Sequence, residues 1–410
     1  MVFSMKYAFT RYHRGDCRWR SVLSVVCLII LGAAAFGLSG ATTHLAPARI
    51  LPGTVAAYSC NSGPWGQVAG HVVLIEPPDG LVPPTILVSP EKDWFFKGYT
   101  RQKLAAFLSA SGVSNGDAQA LVATATPDAG GGLRVTPPLE LRARLTPDQR
   151  SAIYAELGHW PENFLQYQAF RFRDAYLSER LDNTCLSPTN LDMLRGLFYP
   201  RGPFSMFADS DLAFDRIASQ EEKACLFKLL YRQSTILLTL HVPAKANLQE
   251  LAAYWGAHGR ETEVRPLLEP LAKAGGDIDV SRLLPSLART LFDCYRQDDD
   301  HVTFEDCHWT SFNFFRDTPE NRAGDASFFG QRLQSDYVPV NGHPVFGDVI
   351  LLRNAQGLII HSCNYICDDV VFTKNGGALM KPWVFADLKN LVEYYSLREH
   401  VTLCAVRLKP

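Results

Sequence analysis

The alternation of apolar and polar residues changes character four times along the chain. Residues 21–40 read SVLSVVCLIILGAAAFGLSG without a charged side chain, behind Lys6, Arg11, Arg14, Arg18 and Arg20. A basic segment, an apolar run and small residues at Ser39 and Ala41 predict a signal peptide or membrane anchor over residues 1–41. The positive-inside rule then places the rest of the chain outside the cytoplasm, in the periplasm or cell envelope. From 45 to 90 the pattern is β-rich. HVVLIEPPDGLVPPTILV holds two β-branched runs around a Pro/Gly turn and predicts a loose hairpin. RQKLAAFLSA predicts a helix, and Gly130–Gly132 before Pro137 and Pro138 predict a linker. Residues 45–136 are therefore expected to form a small mixed domain.

The period becomes helical from about residue 145. LTPDQRSAIYAEL carries Thr146 as N-cap, Pro147 at the first helical position and Gln149 to close a capping box. Ser219 with Glu222 and Asn247 with Glu250 repeat the device, and EVRPLLEPLAKAGG and VSRLLPSLARTLFDCY follow as amphipathic segments. STILLTLHV reads as a buried strand among them. No fixed-period repeat is present, so residues 140–296 are expected to be an irregular helical domain. Beyond it, VFGDVILLR, GLIIHSCNYI, DVVFTK and HVTLCAVRL alternate as strands, with FADLKNLVEYYS as a helix before the last. The whole predicts an α+β multidomain protein, with residues 297–410 as a helix packed on a mostly antiparallel sheet.

Composition narrows the classes. A chain of 410 residues with 47% apolar and 20% charged residues has the makeup of a folded protein of two or three domains. Its net charge of -2, with no basic stripe after the leader, gives no reason to expect nucleic acid. Eight of the ten cysteines lie beyond the leader. Export permits disulfides among them, and the sequence does not assign the pairs.

The segment FEDCHWTSFNFF at 304–315 carries the candidate chemistry. A cysteine at a helix N-terminus is activated by free backbone N–H groups and the helix dipole, and it needs an imidazole to take its proton. Asp306 is the natural N-cap, Cys307 begins the helix, and Trp309, Phe312 and Phe315 lie on a burial face. Strand alternation puts Ile359, His361, Cys363 and Tyr365 together. The returning strand puts Thr373 and Asn375 on one face and Lys374 on the other. Asn375, or Thr373, is then placed to orient His361.

In this order the residues resemble the NlpC-type papain-like cysteine peptidases of bacterial cell envelopes. Asp306–Cys307, Gly347–Asp348 entering a strand, His361 and Tyr365 match that family's pattern, over roughly residues 290–410. His308–Trp309 replace the usual Ser-Gly after the cysteine. The resemblance implies a papain-like fold and a thiol hydrolase acting on peptidoglycan peptides without metal or cofactor. Cys307 is its nucleophile, His361 its base, and Asn375 or Thr373 the orienting group. It also implies Tyr295 and Trp309 at the substrate. Two other outcomes keep the fold: a cysteine acyltransferase, and a non-catalytic envelope scaffold.

Two competing sites are weaker. GVSNG around Ser114 has the G-x-S-x-G form but follows a helix, so it reads as a helix stop. Asp298, Asp299, Asp300, His301, His308, Cys363 and Cys367 could ligate a metal, but their spacing completes no tetrahedral set.

Overall fold

The computed structural model describes residues 45–409 except 54, 88–92 and 298–304. The expected leader at 1–41 and the run Asp298–His301 lie outside the described residues. Among the described residues no helix is long and apolar enough to cross a membrane. The chain is α+β, with its larger sheets antiparallel.

The helix starts follow local chemistry. Thr146 and Gln149 form the reciprocal capping box, and Ser219 and Asn247 cap their helices by accepting from Glu222 and Glu250 N–H. STILLTLHV lies within the strand Gln233–Val242. Ser114 caps the helix Asn115–Ala123 after Gly112 turns the chain at φ 78°, so no nucleophile elbow forms there.

Among the described residues the N-terminal hairpin expected around residues 71–88 does not form. Strand Gln67–Glu76 instead pairs antiparallel with Gln233–Val242, in register from Gln67↔His241 to Gln233↔Ile75. Pro77, Pro78, Pro83 and Pro84 remove the donors a return strand needs. The chain instead makes one 3-10 turn, and Ile86 N–H donates to Gln220 Oε1 at 2.9 Å. Strand Leu45–Pro47 likewise pairs with Cys294–Arg296. Sheet pairing therefore crosses the sequence division near 140, and an isolated bridge, Phe292↔Trp383, crosses the one near 296. The glycines at 130–132 form a tight turn rather than a linker. Gly132 has φ 129°, and a Cβ there would come 2.2 Å from Phe96 O across the strand pair.

The C-terminal sheet is six-stranded, in the order Tyr337–Pro339, Thr402–Leu408, Val349–Arg353, Ile359–Cys367, Val370–Lys374 and Trp383–Asp387. Two helices pack on its opposite faces. Ser362, Asn364 and Phe372 meet the helix Cys307–Asn313 through Cys307 O, Ser311 O and Phe314. Cys363, Tyr365 and Val371 pack with Leu391, Val392 and Tyr395 of the helix Leu388–Ser396. The expected alternation thus holds for His361, Cys363 and Tyr365. Ile359 leaves the set because a bulge at Leu352/Arg353 shifts the register, and it packs beside Phe329 and Leu333 instead.

Candidate functional site

The site lies where two strands part. The His361 strand and the Thr373 strand pair at Tyr365↔Val371 and Asn364↔Phe372, and the ladder stops there although both strands continue. Beyond that point side chains bridge the gap. His361 Nε2 lies 2.9 Å from Thr373 Oγ1, and its Nδ1 lies 2.8 Å from the Tyr395 hydroxyl. A neutral imidazole donates through one nitrogen and accepts at the other, so the two hydroxyls satisfy the ring. Tyr395 also stacks on it, centroid to centroid at 4.6 Å. His361 is fully buried, and burial followed by the nearby His308 lowers its pKa to about 3.

Cys307 begins the helix Cys307–Asn313 as expected. That helix packs on the Ser362 and Asn364 face of the sheet, whereas His361 shares the opposite face with Cys363 and Tyr365. The Asp306 carboxylate caps it, accepting from His308 N–H at 2.8 Å and Trp309 N–H at 2.9 Å. Ser362 Oγ, one residue after His361, donates to Cys307 O at 3.1 Å and meets His308 Nδ1 at 2.9 Å. Cys307 is close enough to Tyr395 and Cys363 that its charge raises the pKa of both. The expected activation of the thiol is reversed. Burial first, then the Asp306 carboxylate, push Cys307 up to about 12, against smaller lowering effects from the N–H groups of Ser362, Cys307 and His308. In this conformation desolvation outweighs the helix terminus.

Of the two candidates for the orienting group, Thr373 touches the imidazole. Asn375 lies one residue past the strand with Oδ1 buried and unbonded, and both ring nitrogens of His361 are already taken. Tyr295 and Trp309 are core residues rather than walls of a substrate cleft. Tyr295 is fully buried and its hydroxyl donates to Tyr231 O at 3.3 Å. Trp309 is 1% exposed and packs near Trp383. A large aromatic beside a nucleophile helix serves the core unless a cavity opens onto it.

Asp306, Cys307 and His308 place one donor atom each within 4.8 Å of one another. The Asp306 carboxylate already accepts two helix N–H groups and His308 Nδ1 already meets Ser362, so the trio is engaged in holding the helix end. Cys363 lies on the opposite sheet face with its thiol toward Ile350 O, and Cys367 sits at the far end of the strand.

Tyr395 is the residue that sequence reasoning missed. It belongs to an ordinary amphipathic helix, and no local motif announces that its hydroxyl ends on an imidazole. Its helix is held from the other side by the middle of the chain. Arg171 Nη1 donates to Tyr394 O at 2.8 Å and lies over the Tyr394 ring, and Arg173 pairs with Glu393 at 2.6 Å. Arg398 donates to Tyr167 O just after the helix. Lys374 was expected to point away from Thr373 and does so. It is buried over Trp383, donates to Lys381 O at 2.8 Å, and is lowered to about 7, chiefly by burial.

Comparison of the chain with protein-family models, with curated proteins and with solved structures returns no match.

Proposed function

We propose that the C-terminal sheet and the Cys307 helix form a papain-like thiol acyl-transfer site, held closed by Tyr395. On this reading the chain is an exported hydrolase of amide bonds in peptidoglycan peptides. The observation that carries it is the imidazole of His361, oriented at Nε2 by Thr373 where two strands part, with the next residue, Ser362, donating to the carbonyl of a cysteine at a helix N-terminus. One element of a Cys–His site is displaced: the nitrogen that should face the thiol is on Tyr395.

Withdrawal of the Tyr395 hydroxyl frees Nδ1 to take the thiol proton. The Cys307 sulfur attacks the amide carbonyl, and backbone N–H groups at the helix start stabilise the oxyanion. The imidazolium then protonates the leaving amine. Water, deprotonated by the same ring, hydrolyses the thioester and restores the thiol. Admitting water also removes the desolvation that holds the thiol protonated.

A second reading is favoured by the closure itself: Cys307 is 5% exposed and His361 not at all. A domain that stays in this state is a non-catalytic envelope scaffold. The readings separate by assaying amine release from peptidoglycan peptides with the wild type, Tyr395→Phe and Cys307→Ala. A hydrolase gives release that rises in Tyr395→Phe and vanishes in Cys307→Ala. Release that is absent throughout, or indifferent to Cys307, leaves the scaffold.

A further inference from the structure

We propose that Cys60 and Cys367 are a disulfide-forming pair that staples the N-terminal strand Ala56–Ser59 to the C-terminal sheet. The pair stands independently of the thiol-hydrolase reading, since neither cysteine belongs to that site. Ala56–Ser59 runs along Gln67–Glu76 from Ala56↔Val72 to Ser59↔Ala69, and Cys60 N–H continues the pairing to Val68 O at 3.3 Å. The strand thereby delivers Cys60 to the turn after Cys367.

The residues that follow the two cysteines clasp each other across 307 positions of sequence. Asn61 N–H donates to Asp368 Oδ2 at 2.9 Å, and its side-chain amide donates to both Asp368 oxygens at 3.1 and 3.2 Å. Asp368 sits at φ 49°, the left-handed conformation that makes the tight turn between the His361 and Thr373 strands. The same short strand is tied a second time where Tyr58 OH donates to Asp387 Oδ2 at 3.0 Å. Tyr254 OH donates to Ile366 O at 2.7 Å and fixes the backbone just before Cys367. Both side chains join one apolar cluster, and the neighbouring Cys60 thiol, ahead of burial, raises the Cys367 thiol well above its ordinary value. Cys367 is buried and Cys60 half-buried, so Cys60 is the thiol that a reagent meets first.

The chemistry needs a disulfide oxidant, either a small disulfide or a thiol–disulfide oxidoreductase. The Cys60 thiolate attacks one oxidant sulfur, forms a mixed disulfide and expels the first thiol. The Cys367 thiolate then attacks the Cys60 sulfur, closes the protein disulfide and expels the second thiol. The protein loses two protons and two electrons, and the oxidant is reduced to two thiols. The fold already holds Cys185–Cys225 as a disulfide, so conditions that complete it are conditions under which the second pair can close. A bond here joins the first strands of the described chain to the sheet that carries His361, closing a loop of most of the protein.

The test equilibrates the full chain in oxidised and reduced glutathione and then alkylates it under native and denaturing conditions. Intact mass and peptide mapping follow, with fragmentation that separates Cys367 from Cys363. The expected protein is four hydrogens lighter than its fully reduced form, with Cys185–Cys225 and Cys60–Cys367 as the linked pairs. Cys60→Ser is then only two hydrogens lighter, with Cys367 free. The urea midpoint of the wild type also falls further on reduction than that of Cys60→Ser. A wild type only two hydrogens lighter, with Cys60 and Cys367 both alkylated after unfolding, overturns the proposal. So does a link from either cysteine to a different partner.

Discussion

Two buried polar clusters of this chain solve the same problem in opposite ways. In the middle of the chain Arg142 and Arg150 are buried, and each is paired. Arg142 reaches Asp209 at 2.8 Å and Asp211 at 2.7 Å, Arg150 reaches Asp209 at 2.9 Å, and Tyr154 OH donates to Asp209 at 2.7 Å. Each buried guanidinium thus has a carboxylate in contact with it. At the C-terminal site Cys307 and His361 are buried as well, and both ring nitrogens of His361 meet hydroxyls rather than charged groups. Burial therefore holds the thiol protonated and the imidazole neutral. The first cluster is a structural centre whose charges cost stability only when one is removed. The second holds a thiol and an imidazole that burial keeps in their neutral forms.

The comparison breaks most readily at Asp209. Asp209→Ala leaves Arg150 without its carboxylate and Arg142 with Asp211 alone. The expected loss is about 3–5 kcal/mol, read from urea denaturation. Cys307→Ser should cost no more than about 1 kcal/mol, within the range of a mild buried change. Equal losses would abolish the distinction. Next, Tyr395→Phe leaves one nitrogen of His361 without its partner, at a cost of about 1–3 kcal/mol by the same method.

The pH dependence of stability sharpens the contrast between paired and unpaired groups. Burial raises Asp293 to about 7 from the ordinary 3.8. Between those values the folded state keeps a proton that the unfolded state has lost, so stability falls as pH rises from about 4 to about 7. Asp293→Asn should remove that slope. His361 acts in the other direction. Its folded pKa near 3 lies below the ordinary 6.5, so the unfolded chain takes up a proton that the fold refuses. Its contribution is lost as pH falls from about 6.5 towards 3. Denaturation series across pH 3–8 on the wild type and Asp293→Asn separate the two. The smallest effect is expected at the orienting position. Thr373→Val should lower the rate of Cys307-dependent hydrolysis, while Asn375→Ala should leave stability within about 0.5 kcal/mol and the rate unchanged.

Much of this organisation is legible in the residues, for reasons of range. Helix caps at Thr146, Ser219, Asn247 and Asp306 depend on side chains within three positions of the backbone they satisfy, so their chemistry is local. The alternation that groups His361 with Cys363 and Tyr365 is local too. What the residues hide is long-range. Val72 faces Ile236 across the sheet, and nothing in either strand names the other. The Tyr395–His361 bond spans 34 residues and turns a promising pair into a closed one. The helix terminus at Cys307 is visible in the sequence, but the desolvation that overrides it is a property of the assembled core.

The most direct test of the closed thiol site is the alkylation rate of Cys307 by chloroacetamide at neutral pH. It is followed residue by residue in the wild type, Tyr395→Phe and the double variant Tyr395→Phe/His361→Ala. The account predicts a wild-type Cys307 as slow as buried Cys363 and at least about a tenfold acceleration in Tyr395→Phe, the equivalent of one pKa unit. That gain should disappear in the double variant. A Cys307 that stays as slow as Cys363 without the Tyr395 hydroxyl, or that accelerates equally without His361, contradicts it.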